Sequence, residues 1–134
     1  MLGETRCLEL LQAALAACDC DQAEAILYVQ DSALTRFADS IIHQNVAEAN
    51  AMISVRAVLG KRIGCARGNQ LSKDQVQAVA GRALDLAGLS AADEKFVSLP
   101  QPRPIPAVST YSEATAASTP EQRAEAVRSI VGGA

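Results

Sequence analysis

The sequence predicts an α+β fold: an antiparallel β-meander sheet packed with an N-terminal helix and one or two further helices. Three patterns lead there. Apolar residues recur at helical spacing near the start, they alternate with period two over residues 51–59 ahead of a Gly-Lys pair, and a capping signature at Ser72 opens a second helical stripe. The 134 residues are 49% hydrophobic and 20% charged, the balance of a folded domain rather than a disordered chain. That length suffices for one domain with its own core. Aromatic residues make up only 3%, with no Trp, and alanine is the commonest residue, so the core must be built from small and aliphatic side chains.

From about Glu4 to Ala17, Cys7, Leu8, Leu11, Leu15 and Cys18 fall at helical spacing while Glu9 and Gln12 lie away from them, which gives an amphipathic helix. Asp19-Cys20-Asp21 breaks it. Ala23 to Gln30 reads as a strand with Ala25, Leu27 and Val29 on one face and Glu24, Tyr28 and Gln30 on the other. The polar step Asp31-Ser32 is expected to end it, with a short extended piece over Leu34 to Ala38 beyond. In the next strand Ala51, Ile53, Val55, Ala57 and Leu59 alternate with Met52, Ser54, Arg56 and Val58. Gly60-Lys61 then supplies the positive φ of a two-residue hairpin turn. The partner strand, Arg62 to Arg67, carries Gly64 and is followed by Gly68, a sign of strong twist or close backbone approach.

Ser72-Lys73-Asp74-Gln75 is a capping box, and Val76, Val79, Ala80, Ala83, Leu84 and Ala87 form the stripe of its helix, with Gly88 expected to close it. Four of the five prolines (Pro100, Pro102, Pro104, Pro106) alternate with single residues, which holds that stretch extended. Thr119-Pro120-Glu121-Gln122 is a second capping box, and its helix bears Ala124, Val127, Ile130 and Val131 on one face. The expected organisation is a platform domain over residues 1–98, a proline-rich connector over 99–118, and a helix over 119–134 leading into a C-terminal domain outside this sequence.

Several function classes are excluded by composition. A net charge of -3 and a pI near 5.1 argue against gripping nucleic-acid phosphates. A single histidine, His43, rules out a His-rich metal cage and any triad needing a spare imidazole. No apolar stretch reaches the roughly 18 residues of a membrane span. Glu4 stands where a secretory leader would want basic residues, so a cytoplasmic location is expected. Cys7, Cys18, Cys20 and Cys65 fit that compartment as reduced thiols.

Candidate chemistry is sparse. Cys18-Asp19-Cys20 could share a soft metal or a redox step, but zinc wants four ligands and no second pair exists, so a structural role is the plainer reading. Glu4, Glu9, Asp19, Asp21 and Glu24 read as a solvated acidic face. Ser109, Thr110 and Ser112 read as loop residues, and Gly60-Lys61-Arg62-Ile63-Gly64 lacks a phosphate-loop pattern. Arg36, His43, Gln44 and Asn45 form a polar group that could hydrogen-bond a peptide backbone or an interface. No catalytic, cofactor-binding or metal-ligating residue is expected in this chain.

The run Thr35 to Asn45 (TRFADSIIHQN) resembles the amino-terminal domain of the TldD/PmbA proteins, known as modulators of DNA gyrase. So do the hairpin Ile53 to Ala66, the helix Ser72 to Leu86, the proline track, and Tyr111 to Val127, which follow in that family's order. The resemblance implies a cytoplasmic two-domain subunit that pairs with a homologous subunit as a homo- or heterodimer. That assembly would act as a zinc-dependent peptidase on unfolded or flexible polypeptides, with no direct part for nucleic acid or membrane. In the family the zinc is held by a His-Glu-x-x-x-His helix of the larger C-terminal domain. With one histidine this chain has no such motif, so no catalytic residue carries over, and zinc is implied only for the full-length assembly. The competing reading is a stand-alone adaptor that modulates a partner without peptidase activity.

Overall fold

The structure is a computed structural model that describes residues 2–132; Met1, Gly133 and Ala134 lie outside the described residues. The order of elements is α1 (Glu4–Ala16), β1 (Gln22–Ala38), β2 (Ile41–Leu59), β3 (Arg62–Gly68), α2 (Lys73–Leu89), α3 (Glu113–Ala116) and α4 (Pro120–Gly132). The three strands make one antiparallel sheet in the order β1-β2-β3. The expected α+β meander is therefore present.

The strands are longer than the sequence suggests. Asp31-Ser32 does not end β1, which runs unbroken for 17 residues. These residues stand exposed or half-buried, so their side chains can point to water while the backbone stays in the ladder. β1 then turns into β2 through Asp39 and Ser40, both with positive φ (48° and 63°), the backbone of a two-residue hairpin turn. The second hairpin is the expected one. Gly60 takes φ 62°, and β2 pairs with β3 from Leu59↔Arg62 to Ile53↔Gly68.

The chain divides into two compact units, Met1–Gln30 with Ala49–Gln101, and Asp31–Glu48 with Pro102–Ala134. In the first, Leu10 and Ala14 of α1, Ile53, Val55 and Ala57 of β2, Ala66 of β3, and Val76, Val79, Ala80, Ala83 and Ala87 of α2 form one core. None is aromatic, as the composition demands. Small side chains bring α2 close to the sheet, and Gly64 makes that possible. A Cβ at residue 64 would overlap Ala83 O and Ala87 N and lie 2.9 Å from Ala87 Cα. The close approach read from the sequence is thus a contact between β3 and the backbone of α2.

Ser72 caps α2 by accepting from the Gln75 amide at 3.3 Å. The helix does not stop at Gly88. It continues to Leu89 because its end has other partners: Arg62 donates to Gly88 O at 3.0 Å, and Ser90 Oγ donates to Leu86 O at 2.8 Å. Beyond α2 the chain returns across this unit. Asp93 N–H donates to Lys61 O (2.9 Å), Lys61 pairs with Glu94 (3.0 Å), and Leu99 N–H donates to Gln22 Oε1 (2.7 Å). Leu99 is buried there.

In the second unit the 31–48 hairpin is grouped with the proline track from Pro102 onward, α3 and α4. Residues 99–111 carry no helix or strand, as the alternating prolines predict. α3 is a single turn capped by Ser112, which accepts from Thr115 N–H at 3.4 Å, so Ser112 is a cap rather than a plain loop residue. The capping box of α4 is reciprocal: Gln122 N–H donates to Thr119 Oγ1 (3.2 Å) and Thr119 N–H to Gln122 Oε1 (2.9 Å). Ala124, Val127 and Val131 are half-buried along α4, whereas Ile130 is 62% exposed.

Candidate functional site

The four residues singled out by sequence sit near the Asp39-Ser40 turn, and all four are exposed. Strand alternation sorts them onto two faces. Thr35 Oγ1 donates to Asn45 Oδ1 at 2.5 Å, which joins the two strands on one face of the hairpin. Along β2, alternation turns Gln44 away from the face of His43 and Asn45.

On the first face the side chains are tied together. His43 Nε2 lies 3.1 Å from Ala38 O, so a proton on that nitrogen would be donated to the carbonyl across the turn. Thr35 Oγ1 also accepts from Arg123 Nε at 3.1 Å, and Arg123 Nη1 donates to Ser118 O at 2.6 Å. Arg123 thereby joins α4 to the hairpin. Asp31, Ser32, Ala33, Thr115, Ser118 and Arg123 border an open hollow at this junction. Sequence reading missed Arg123, although its place four residues after Thr119 was visible as the first turn of a capped helix.

Apolar side chains surround these groups. Leu34 (51%), Phe37 (42%) and Ile41 (63%) are exposed on the hairpin, on both faces. A two-stranded hairpin with apolar residues outward on both sides is poorly satisfied by water and presents the composition of a contact surface. In the first unit, Ile26, Tyr28 and Met52 are likewise exposed on the sheet face opposite the core. Glu24, Arg56 and Arg67 border the same hollow, and Arg56 pairs with Glu24 at 3.7 Å.

The remaining candidates are accounted for locally. Asp21 Oδ2 accepts from Gly60 N–H at 2.6 Å, so it braces the β2–β3 turn, and Glu9 pairs with Arg6 at 3.0 Å. Burial pushes the Cys18 thiol up from its ordinary value, and neighbouring Cys20 adds to the rise. Among the described residues, no three His, Cys, Asp or Glu side chains come together to hold a metal ion. No described helix is long and apolar enough to cross a membrane.

The sequence matches no protein-family model and no curated protein. Solved structures do share its architecture. TldE from Thermococcus kodakarensis superposes with a TM-score of 0.73 at 21% identity, over 87% of this chain and 26% of that one. A "putative modulator of DNA gyrase" from Bacteroides thetaiotaomicron VPI-5482 does so with a TM-score of 0.72 at 17% identity, over 100% of this chain and 32% of that one. The chain thus spans about a quarter to a third of the proteins it resembles. It has the fold found in TldE and in this gyrase-modulator protein, as the resemblance to the TldD/PmbA proteins implies.

Proposed function

We propose that this chain acts as the non-catalytic N-terminal domain of a TldD/PmbA-like subunit, within a zinc-dependent peptidase that takes unfolded or flexible polypeptides. The observation that carries this reading is the shared fold, which extends over 87–100% of the chain but only 26–32% of its structural neighbours. The larger remainder of such a subunit is where the zinc and its ligands would reside. This domain would supply part of the substrate chamber or of the interface with a homologous subunit.

The exposed hairpin suits that part. Main-chain hydrogen bonding to a strand edge recognises a polypeptide without regard to its side chains. Around the Asp39-Ser40 turn, the exposed Arg36, His43, Gln44 and Asn45 would add polar contacts. An acidic chain predicts no direct grip on DNA, so an influence on a topoisomerase would run through proteins.

The first test is the mass of the native product in its own cells, read with an antibody raised against this chain. A band several times 14.0 kDa is expected. A band at 14.0 kDa would overturn the peptidase reading and leave the stand-alone adaptor. In the full-length protein, His43→Ala with Asn45→Ala should weaken peptide cleavage or subunit pairing, and unchanged values for both would remove the hairpin from the chamber.

A further inference from the structure

The turn between α1 and β1 brings two thiols together at the edge of the core. Cys18 N–H donates to Leu15 O at 3.0 Å as the helix ends, and Cys20 N–H donates back to Cys18 O at 3.1 Å. That second bond closes a three-residue turn with Asp19 at its centre. It draws the α carbons of residues 18 and 20 closer than the roughly 7 Å of an extended pair. The separation then falls in the range of about 4.4–6.8 Å that a disulfide spans. Both side chains are half-buried, so a reagent can reach them. Cys7 is also half-buried and Cys65 is exposed, and each stands on a different element from this turn.

We propose that Cys18 and Cys20 form a redox-active dithiol that reduces small-molecule disulfides, of which oxidised glutathione is the type, and closes to an intramolecular Cys18–Cys20 disulfide. Neither the shared fold nor the peptidase reading is needed for it.

The exchange balances as follows. A thiolate at Cys20 attacks one sulfur of the reagent, whose S–S bond breaks, and one glutathione thiolate leaves. Cys18 then gives up its proton to solvent and attacks the Cys20 sulfur of the mixed disulfide, releasing the second glutathione. Two electrons pass from the dithiol to the reagent, and two protons end on the glutathione thiols. Burial raises the Cys18 thiol and disfavours its thiolate, which suits Cys18 to the resolving role and Cys20 to the first attack. The ring formed is small and borders solvent, which makes the bond labile and reversible rather than a permanent staple.

The bond would act at a junction. Cys20 Sγ donates to Gln22 O at 3.1 Å, and the Gln22 side chain accepts from Leu99 N–H. Between them Asp21 N–H donates to Val58 O at 3.0 Å. Oxidation removes the Cys20 S–H donor where α1, β2 and the returning chain meet.

The test is intact-mass spectrometry of the reduced, unmutated full chain after exposure to oxidised glutathione, with peptide mapping. The expected result is a mass loss of two hydrogens and a bridge mapped to Cys18–Cys20, unchanged in Cys7→Ser and Cys65→Ser. Cys18→Ser should instead retain one glutathione on Cys20. Persistent glutathione on Cys18 or Cys20 of the unmutated chain would overturn the proposal. So would a bridge that needs Cys7 or Cys65, or stoichiometric zinc that blocks the reaction.

Discussion

Replacing Gly64 by Ala probes the closest approach in the core. The added methyl would meet Ala83 O, Ala87 N and Ala87 Cα. All three are backbone atoms of α2, so no rotamer change relieves the clash. Non-bonded carbon contacts favour about 3.5–4.0 Å, so α2 must retreat by on the order of 1 Å. A gap of that size forfeits about a quarter to a half of each dispersion contact it opens. Val76, Val79, Ala80, Ala83 and Ala87 are the side chains exposed to that loss. Overpacking costs about 1–3 kcal/mol, and movement of a whole helix puts Gly64→Ala at the upper end. For a chain of this length about 3 kcal/mol lowers Tm by roughly 10 °C. Urea and thermal unfolding followed by circular dichroism read the change directly. Gly81→Ala is the control, because a Cβ there meets nothing within 4 Å inside the same helix. It should stabilise by about 0.5–1 kcal/mol. A loss below about 0.5 kcal/mol for Gly64→Ala, the scatter of neutral surface changes, would refute the contact between α2 and β3.

Two further outcomes are expected. Ser40 holds φ 63° without being glycine, so Ser40→Gly should raise the urea midpoint by about 1 kcal/mol in stability, and a lower midpoint would contradict the turn geometry. The Glu121 carboxyl is lowered by its own backbone N–H at the start of α4 and then by the Thr119 hydroxyl. A depressed carboxyl adds stability above its unfolded value and loses it as pH falls through the folded value. Helix α4 should therefore loosen in acid in step with Glu121, and a carbon-detected titration placing Glu121 at or above the ordinary glutamate range would refute this.

The elements that sequence reading recovers are those whose signals are local. Both expected caps are present, Ser72 accepting from the Gln75 amide and the Thr119–Gln122 pair closing a reciprocal box, because a cap is decided within four residues of chain. The Gly60 turn was readable because glycine advertises positive φ. The Asp39-Ser40 turn was not, since both residues adopt the same region without being glycine. Nothing in Asp31-Ser32 reveals that the strand continues, because a polar step ends an isolated strand yet is harmless in one already paired. The end of α2 depends on Arg62, 26 positions away, and so overrides the glycine. The site shows the same division. Its residues are close in sequence, but the Thr35–Asn45 bond, on one face of the hairpin, is a contact that spacing alone does not show. Arg123 reaches that face across 88 positions, a distance over which pattern reading has no signal.

The bond from Leu99 to Gln22 closes a loop of 77 positions, and α1 packs against α2 in the core. During synthesis, at about 5–20 residues per second, α1 emerges roughly 4–15 s before the end of α2. Over that interval Leu10 and Ala14 have no helix to pack against, and β1 waits for the segment that will cover its start. The first unit therefore completes its core only after α2 and Leu99 have left the ribosome. A chain stalled before Lys73 would present a sheet with its core face uncovered and a stranded amphipathic helix, the form in which chaperones would first meet this protein.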